Sequence, residues 1–271
     1  MSKVVFITGA ARGVGRATAV AFARAGSDVA LADICAQIDE CPYPLGTHEQ
    51  LEETARRCRE AGGRATTHVV DVREQPQIDA AVEVCQAELG PVEVLISNAG
   101  LVGPAGAPAH QLDERAWSTM IDVDLSGVWR CAKAVLPGMI ARRAGAIVNV
   151  SSTAGMVAFP FFANYVAAKH GVIGLTKALA LDCAPHSIRV NAVCPTSVRD
   201  EPELDSAMLA GVAGMLGVGA ADYEALSLPY HPLGELVSAG DVAATITWLA
   251  SDAARHLTGA VIPVDAGFTA R

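Results

Sequence analysis

A tyrosine and a lysine four residues apart, Tyr165 and Lys169, have the side chains best suited to acid–base chemistry in this sequence. They lie near the start of an alanine-rich run with helical character that reaches about Cys183. In a helix, this spacing places both side chains on the same face, one turn apart. A nearby ammonium favours the phenolate, so we expect Lys169 to lower the pKa of Tyr165 from about 10 towards neutrality. The same spacing also fits a solvent-facing helix, so the pair indicates a catalytic site only if other residues complete it.

A glycine-rich turn near the N-terminus, residues 8–15, predicts a phosphate-binding loop. It follows a β-prone run at residues 4–7 and precedes an amphipathic segment that ends at Gly26. Glycines let the backbone approach a pyrophosphate, and the helix that follows offers free N–H groups and a partial positive charge. Asp33 ends the next β-prone run, about 20 residues after the glycine turn. An acid at this distance binds the hydroxyls of the adenosine ribose and would repel a 2′-phosphate. A capping role is the alternative for Asp33.

The rest of the sequence alternates strands and helices. β-Prone runs occur at residues 4–7, 29–32, 68–72, 92–96, 146–150, 188–193 and 260–264. Helical segments separate them, including one or two helices within residues 113–143 that we expect Pro137 to interrupt or bend. This order predicts a single α/β domain in which helices cover both faces of a doubly wound, seven-stranded parallel sheet. The composition agrees, because 51% of the residues are hydrophobic and only 5% are aromatic, as is typical of a sheet buried on both faces.

Two long segments interrupt this alternation. Residues 34–48 contain Pro42 and Tyr43 but no helical period. They form either a functional cover on the cofactor side or a surface insertion. A capping box at residues 47–50 starts the next helix. Residues 196–236 are predicted to be a lid over an apolar substrate pocket, with a helical hairpin packed on the core as the alternative. The apolar residues behind this prediction are Met208, Leu209, Met215, Leu216, Leu226 and Leu228.

Charge and cysteine usage exclude several classes of partner. The net charge of −9 and the lack of a basic cluster argue against nucleic acid and against an anionic membrane surface. No signal peptide and no apolar run of about 20 residues is evident, so we expect a cytoplasmic protein. The 7 cysteines are scattered without metal-ligand spacing, so no metal site is expected. We expect them to be buried thiols, and a disulfide between Cys35 and Cys41 is the alternative.

Four motifs taken together resemble the short-chain dehydrogenase/reductase family, and the resemblance covers nearly the whole chain. The motifs are Thr8-Gly9-x-x-x-Gly13-x-Gly15, Ser97-Asn98-Ala99-Gly100 where the family has Asn-Asn-Ala-Gly, Ser152 thirteen residues before Tyr165, and Tyr165-x-x-x-Lys169. Each is common by itself, but all four occur in the family's order, at its spacings and at predicted strand ends. The insertion at residues 34–48 resembles that of the mycofactocin-linked subgroup, which includes carveol dehydrogenases and holds NAD too tightly for free exchange.

The resemblance implies a Rossmann fold and an NAD-dependent oxidoreductase that interconverts a secondary alcohol and a ketone, with a medium-sized apolar or cyclic, terpenoid-like substrate. Tyr165 would exchange the proton of the substrate hydroxyl, Ser152 would hydrogen-bond the substrate oxygen, and Lys169 would also hold the nicotinamide ribose. Capping of the preceding strand is the alternative role for Ser152. By position, the cofactor contacts would be Gly9, Arg12, Gly13, Val14, Gly15, Asp33, Asp71, Val72, Asn98, Ala99, Gly100, Tyr165, Lys169, Pro195 and Val198.

The resemblance also implies partners outside the chain. The family commonly forms homotetramers through the helices near residues 113–143 and 162–183. A tightly held NAD would require an external redox carrier to reoxidise it. For Asp71, turn capping is the alternative to a contact with adenine, and for Arg12 the alternative is a solvated side chain.

Three positions depart from the family's pattern. The family's fourth catalytic residue, an asparagine, falls at Asp124, whose carboxylate could still hold a relay water but would raise the pKa of Tyr165, so we expect an alkaline activity optimum. Pro195-Thr196 stands in place of the family's Pro-Gly, as in the mycofactocin-linked subgroup. The family's cofactor-binding threonine falls at Asp200. Because an acid near a pyrophosphate is unfavourable, either the loop takes another path or this contact is lost.

Two other functions stay open at this point. An NADPH-dependent ketone or acyl-thioester reductase is disfavoured by Asp33, although Arg12 leaves it open. A non-catalytic NAD-binding regulatory protein would account for Asp124 and Asp200, but the intact Ser-Tyr-Lys set argues against it. A zinc alcohol dehydrogenase is disfavoured because the sequence has no set of Cys and His ligands.

Overall fold

A parallel β-sheet forms the centre of the computed structural model, which describes residues 3–104 and 106–270. Within these residues, seven strands pair in parallel in the order β3-β2-β1-β4-β5-β6-β7. The strands are β1 (Val4–Thr8), β2 (Asp28–Asp33), β3 (Ala65–Val69), β4 (Val94–Ser97), β5 (Gly145–Val150), β6 (Ile188–Pro195) and β7 (Val261–Val264). The order reverses direction between β1 and β4, which opens a crevice at the carboxyl ends of these strands. The predicted doubly wound, seven-stranded sheet is confirmed.

Helices cover both faces of the sheet. They are α1 (Gly13–Arg24), α2 (His48–Glu60), α3 (Gln75–Glu88), α4 (Glu114–Ile121), α5 (Gly127–Arg142), α6 (Ala163–Cys183), α7 (Met208–Met215), α8 (Ala220–Ser227) and α9 (Ala239–Ala250). Helices α1, α2 and α9 pack in one hydrophobic core, and α3, α4, α5 and α6 pack in the other. Alternate residues of β1 enter opposite cores, because successive side chains of a strand point to opposite faces. The sheet is therefore buried on both sides, as its composition indicates.

The third strand lies three residues earlier than predicted. The prediction of residues 68–72 was wrong, because β3 spans Ala65–Val69 and is largely half-buried at the edge of the sheet. Hydrophobicity does not mark such a strand. Val70 and Val72, which suggested the strand, are instead buried beyond its carboxyl end, where they line the cavity described below.

The interruption in the long helical region is also not where the sequence suggested. Pro137 lies inside α5 and does not end it. A short π-helical segment, Asp122–Ser126, separates α4 from α5 instead. Such segments insert an extra residue into a helix and are frequent at functional sites. This one turns Asp124 inward, where its carboxylate is fully buried and bound by other residues.

The insertion that precedes α2 is held by hydrogen bonds within it and by buried side chains. The Gln37 side-chain amide donates to the carbonyl oxygens of Ile38, Cys41 and Tyr43, and its oxygen accepts the Leu45 N–H. Three apolar side chains of the segment are buried against the core, those of Ile38, Cys41 and Tyr43. The predicted capping box then starts α2, with reciprocal bonds between Thr47 and Gln50.

The described residues contain no group of three or more His, Cys, Asp or Glu side chains placed to hold a metal ion. All the cysteines are free thiols, so Cys35 and Cys41 are not joined. No helix within residues 3–104 and 106–270 is long and apolar enough to cross a membrane.

Candidate active site

A cavity of about 850 Å³ opens at the carboxyl ends of the strands. The insertion, the loop after β4 and the segment with α7 and α8 surround it. All the sequence-predicted site residues line this one cavity, namely Gly9, Arg12, Gly13, Val14, Gly15, Asp33, Asp71, Val72, Asn98, Ala99, Gly100, Asp124, Ser152, Tyr165, Lys169, Pro195 and Val198. Residues that are distant in sequence therefore meet at the predicted edge of the sheet.

The tyrosine and the lysine lie together on α6, as their spacing indicates. The Lys169 ammonium lies 5.5 Å from the centre of the Tyr165 ring. Ser152 follows β5, and its hydroxyl is close enough to Tyr165 to lower the pKa of that phenol. The Ser152 hydroxyl also accepts the Ala154 N–H at 3.1 Å, so it caps the short 3-10 turn that follows. The capping role and the contact with Tyr165 are thus compatible.

Asp124 forms an ion pair with Lys169 inside the protein. Its Oδ2 lies 2.9 Å from the Lys169 Nζ, and both side chains are almost completely buried. Its Oδ1 accepts the Leu101 N–H at 2.9 Å. The backbone at Gly100 passes so close that a Cβ there would lie 2.9 Å from Asp124 Oδ2. Only glycine fits at this position without moving the carboxylate.

The electrostatics around Tyr165 differ from the first expectation. Burial raises the pKa of Tyr165 above its ordinary value and outweighs the opposite effect of Lys169, so the prediction of a net decrease was wrong. Asp124 raises the pKa of Tyr165 further, as its charge predicts. Burial disfavours charge on Lys169, but attraction from Asp124 and Tyr165 outweighs burial and raises the pKa of Lys169. Lys169 therefore stays an ammonium beside the phenol.

The glycine-turn end of the cavity fits a pyrophosphate. At Gly15, a Cβ would lie 1.9 Å from the Gly9 carbonyl oxygen, so only glycine lets the first turn of α1 pack this close to the turn. Helix α1 has no side-chain cap at its N-terminus and no acidic residue in its first turn. Its first N–H groups are therefore open to an anion. The Asn98 amide donates to the carbonyl oxygens of Thr8 and Gly9, which holds the end of β4 against the turn.

Asp33 is positioned at the end of β2 beside this turn. Its carboxylate accepts the N–H groups of Ala11 at 3.0 Å and Cys35 at 3.3 Å. Burial raises the pKa of Asp33 despite these bonds and the nearby charge of Arg12. Asp33 therefore caps this turn and also lines the cavity, and Ser152 combines the same two roles.

Two other predicted cofactor contacts have partners within the protein. The Asp71 carboxylate binds the Arg73 guanidinium, with one contact of 2.6 Å. Burial acts to raise the pKa of Asp71, but Arg73 outweighs it and lowers that pKa. The guanidinium of Arg12 packs over the ring of Tyr43 in the insertion, at 6.0 Å from its centre. Arg12 is therefore part of the cavity wall and not a solvated side chain.

Most of the aromatic side chains line the cavity, which sequence reasoning missed. The chain has 4 Tyr and 6 Phe. All of those tyrosines and four of the phenylalanines line the cavity, namely Tyr43, Tyr165, Tyr223, Tyr230, Phe159, Phe161, Phe162 and Phe268. Phe268 lies 5.8 Å from Phe159 and 5.4 Å from His231, ring centre to ring centre. The cluster of three phenylalanines at residues 159–162 was the available signal in a sequence with few aromatics.

The predicted lid segment contributes the apolar wall. Of the six apolar residues behind that prediction, four line the cavity, namely Met208, Leu209, Leu216 and Leu226. Helix α7 also contacts the insertion, because a Cβ at Gly211 would lie 2.5 Å from the Tyr43 ring. The Tyr43 hydroxyl accepts the Val102 N–H at 2.8 Å. Tyr43 thus joins the insertion to α7 and to the loop after β4.

Asp200 has a structural role at the N-terminus of α7. Its carboxylate accepts the N–H groups of Leu209 at 3.3 Å and Ala210 at 2.8 Å, which are in the first turn of α7. The negative charge is therefore compensated at a helix N-terminus. Asp200 still lines the cavity, but its carboxylate is occupied by these two N–H groups.

Comparisons with known proteins agree with this geometry. The sequence model of the family described as short chain dehydrogenase matches residues 3–206. The chain is 36% identical to (-)-trans-carveol dehydrogenase of Rhodococcus erythropolis, over 98% of this chain and 97% of that protein. It is 38% identical to cis-4-hydroxycyclohexanecarboxylate dehydrogenase of Sinomonas cyclohexanicum, over 99% of this chain and 97% of that protein. Carveol dehydrogenase from Mycobacterium avium in complex with NAD has a TM-score of 0.93 and 38% identity, over 99% and 98% of the two chains.

The chain therefore belongs to the short-chain dehydrogenase family, and the resemblance seen in the sequence is confirmed. Members of this family are oxidoreductases, so the chain is an enzyme of that class.

Replacing Asp124 by asparagine tests the electrostatics of the site. Asp124→Asn keeps an oxygen for the Leu101 N–H but removes the charge that raises the pKa of Tyr165. The pH profile of kcat for alcohol oxidation should therefore shift to lower pH. Asp122→Asn is the matched control, since Asp122 is in the same π-helical segment but pairs with Arg130. An Asp124→Asn profile that superposes on that of the wild type would contradict the prediction.

Proposed function

We propose that the protein is an NAD-dependent oxidoreductase that interconverts a secondary alcohol and a ketone, with a medium-sized apolar or cyclic substrate. One observation carries this proposal. Tyr165, Lys169 and Ser152 meet in a cavity that has a glycine turn at one end and aromatic and aliphatic side chains at the other. A dinucleotide and an apolar alcohol can therefore both lie beside the same phenol.

The residues present fit NAD, which supplies a hydride acceptor for alcohol oxidation and a donor for the reverse reaction. The open N–H groups of α1 would hold the pyrophosphate. Asp33 would bind the hydroxyls of the adenosine ribose and Lys169 those of the other ribose. The structure of carveol dehydrogenase from Mycobacterium avium contains NAD, which supports NAD as the cofactor.

The side chains of the protein handle the proton. In the oxidation, Tyr165 takes the proton of the substrate hydroxyl as a general base, and in the reduction it returns that proton. Ser152 donates a hydrogen bond to the substrate oxygen and stabilises the charge that develops there. Lys169 holds positive charge beside the phenolate, and Asp124 in turn holds Lys169 in place.

The substrate end favours a ring alcohol. Aromatic and aliphatic side chains from α7, α8 and the segment 159–162 enclose this end. Flat and cyclic hydrocarbons bury much of their surface against such walls. Two relatives are named for ring alcohols, carveol and cis-4-hydroxycyclohexanecarboxylate. We propose a terpenoid-like secondary alcohol as the substrate class.

We also propose that the enzyme is a homotetramer. Large apolar side chains are exposed on the helices that the family uses for this contact. Trp117 on α4 is 42% exposed, Trp129 on α5 is 46% exposed and Leu181 on α6 is 78% exposed. Burial of such side chains between copies of the chain would remove them from water.

Replacing Tyr165 by phenylalanine tests the catalytic assignment. Tyr165→Phe removes only the hydroxyl, so we expect kcat to fall by about 100-fold or more. The NAD content of the purified variant, measured by mass spectrometry after denaturation, should equal that of the wild type. Turnover at the wild-type rate would contradict the assignment. A wild-type protein that binds NAD but oxidises no alcohol and reduces no ketone would instead support the non-catalytic alternative.

The insertion is proposed to retain NAD, as in the mycofactocin-linked subgroup, so that an external carrier reoxidises it. Tyr43 carries this proposal because it contacts α7, Arg12 and the loop after β4. Wild-type protein should contain about one NAD per chain, and Tyr43→Ala should speed exchange with isotopically labelled NAD by about tenfold or more. Tyr43→Phe, which keeps the ring, is the control and should stay closer to the wild type. Equal exchange rates in all three proteins would refute the covering role.

Replacing Asp33 by asparagine tests the choice of NAD over NADP. Asp33→Asn keeps an acceptor for the Ala11 N–H but removes the negative charge that would repel a 2′-phosphate. The ratio of kcat/KM with NADP to that with NAD should rise by about tenfold or more. A wild-type preference for NADP would refute the assignment and favour the NADPH-dependent reductase.

A further inference from the structure

The residue before Ser152 joins strand β5 to helix α6. The Ser151 side chain is buried, and its hydroxyl donates to the Lys169 backbone carbonyl at 2.9 Å. A carbonyl oxygen has two lone pairs, so this bond leaves room for the hydrogen bond within the helix. The Ser151 N–H donates in turn to the Val193 carbonyl of β6 at 2.8 Å. Ser151 therefore connects two strands of the sheet to the helix that carries Tyr165 and Lys169.

Lys169 is held at both ends by consecutive residues of this strand end. Its ammonium donates to the Val150 carbonyl at 3.3 Å, and its backbone carbonyl accepts the Ser151 hydroxyl. The ion pair with Asp124 acts on the ammonium. The Ser151 bond acts instead on the backbone of α6, one turn after Tyr165.

Close packing at Gly155 supports the same contact. A Cβ on Gly155 would lie 2.6 Å from the Lys169 carbonyl oxygen and 2.7 Å from the Ser151 Oγ. A side chain at this position would therefore push the helix away from the strand end. Gly155 belongs to the 3-10 turn that the Ser152 hydroxyl caps. The strand end, this turn and α6 thus pack together at the Lys169 carbonyl.

Ser152 and Tyr165 lie on opposite sides of this contact. Ser152 follows the strand and Tyr165 belongs to the helix, yet the proposed chemistry requires both hydroxyls to reach the same substrate oxygen. We propose that Ser151 is a positioning residue whose hydrogen bond to the helix backbone sets the distance between the Ser152 and Tyr165 hydroxyls. The proposal rests on the proposed function, because it requires this pair of hydroxyls to act on a substrate. The Ser151 proton is used in the bond to Lys169, so Ser151 is not itself a proton donor to the substrate.

Replacing Ser151 by alanine removes the hydrogen bond and tests this role. Misalignment of the two hydroxyls acts on the transition state, so kcat for alcohol oxidation should fall by about tenfold or more while KM changes little. Burial raises the pKa of Tyr165, and Ser152 acts to lower it. A wider gap between these residues should therefore raise the pKa of Tyr165 further and move the pH profile of kcat to higher pH. The affinity for ADP, which would bind at the glycine turn, should equal that of the wild type.

Replacing Thr176 by alanine is the matched control. Thr176 is buried on the same helix, two turns after Lys169, and its hydroxyl accepts the Asn149 side-chain amide of β5 at 3.0 Å. Thr176→Ala therefore also removes a buried hydrogen bond between β5 and α6. The temperature of thermal unfolding should fall in both variants, but the kcat and the pH profile of Thr176→Ala should remain those of the wild type.

A second variant disturbs the same contact by a different route. Gly155→Ala should reproduce both the lower kcat and the shift to higher pH. A wild-type kcat and pH profile in Ser151→Ala would overturn the proposal. So would equal falls of kcat in Ser151→Ala and Thr176→Ala without a shift of either pH profile, because the Ser151 bond would then serve stability alone. A wild-type protein that oxidises no alcohol and reduces no ketone would instead overturn the proposed function itself.

Discussion

The ion pair between Asp124 and Lys169 is the interaction on which the active site depends. Both charges are buried 2.9 Å apart, and each also has a backbone partner, the Leu101 N–H for Asp124 and the Val150 carbonyl for Lys169. Removing one partner of such a pair typically costs about 3–5 kcal/mol, because the other charge stays buried without compensation. The pair therefore fixes the position of the ammonium beside Tyr165. It also explains two local features of the backbone, the π-helical segment that turns Asp124 inward and the glycine at residue 100.

The same pair sets the reactivity of the phenol through opposing effects. Burial raises the pKa of Tyr165, Lys169 lowers it, and Asp124 raises it again. With an asparagine at residue 124, the last of these effects would be lost. The Asp124 carboxylate thus makes the Tyr165 phenolate a stronger base. It also keeps Lys169 charged, because its attraction raises the pKa of Lys169. A phenolate that forms in this site therefore has an ammonium as its neighbour.

Local rules could predict the sheet and the candidate site residues that meet in the cavity, but not the contacts between distant segments. The spacing of Tyr165 and Lys169 and the glycine turn depend on a few neighbouring residues, so sequence alone identifies them. Strand β3 was misplaced because an edge strand is only half-buried, and hydrophobicity marks it weakly. The sign of the Tyr165 pKa shift depends on burial, which comes from segments far apart in the chain. The role of Tyr43 as a link to α7 could not be predicted for the same reason.

The two ends of the cavity are built in different ways. The glycine-turn end uses backbone N–H groups and small residues, so it depends on a short motif. The apolar end uses side chains from separate segments, such as Phe159 and Phe268, which stack at 5.8 Å. Phe268 also contacts the buried ring of His231.

The hydrogen bonds of His231 connect this apolar end to the sheet. Its Nδ1 lies 2.9 Å from the Ser227 carbonyl, which can only accept, so Nδ1 carries the proton. In the neutral ring, Nε2 then accepts the Thr196 hydroxyl at 3.0 Å. Thr196 follows β6 and stands where the family has glycine. Its hydroxyl therefore links His231, which follows α8, to the end of β6. The apolar end of the cavity is therefore held in part by Thr196, which is separate from Tyr165, Lys169 and Ser152.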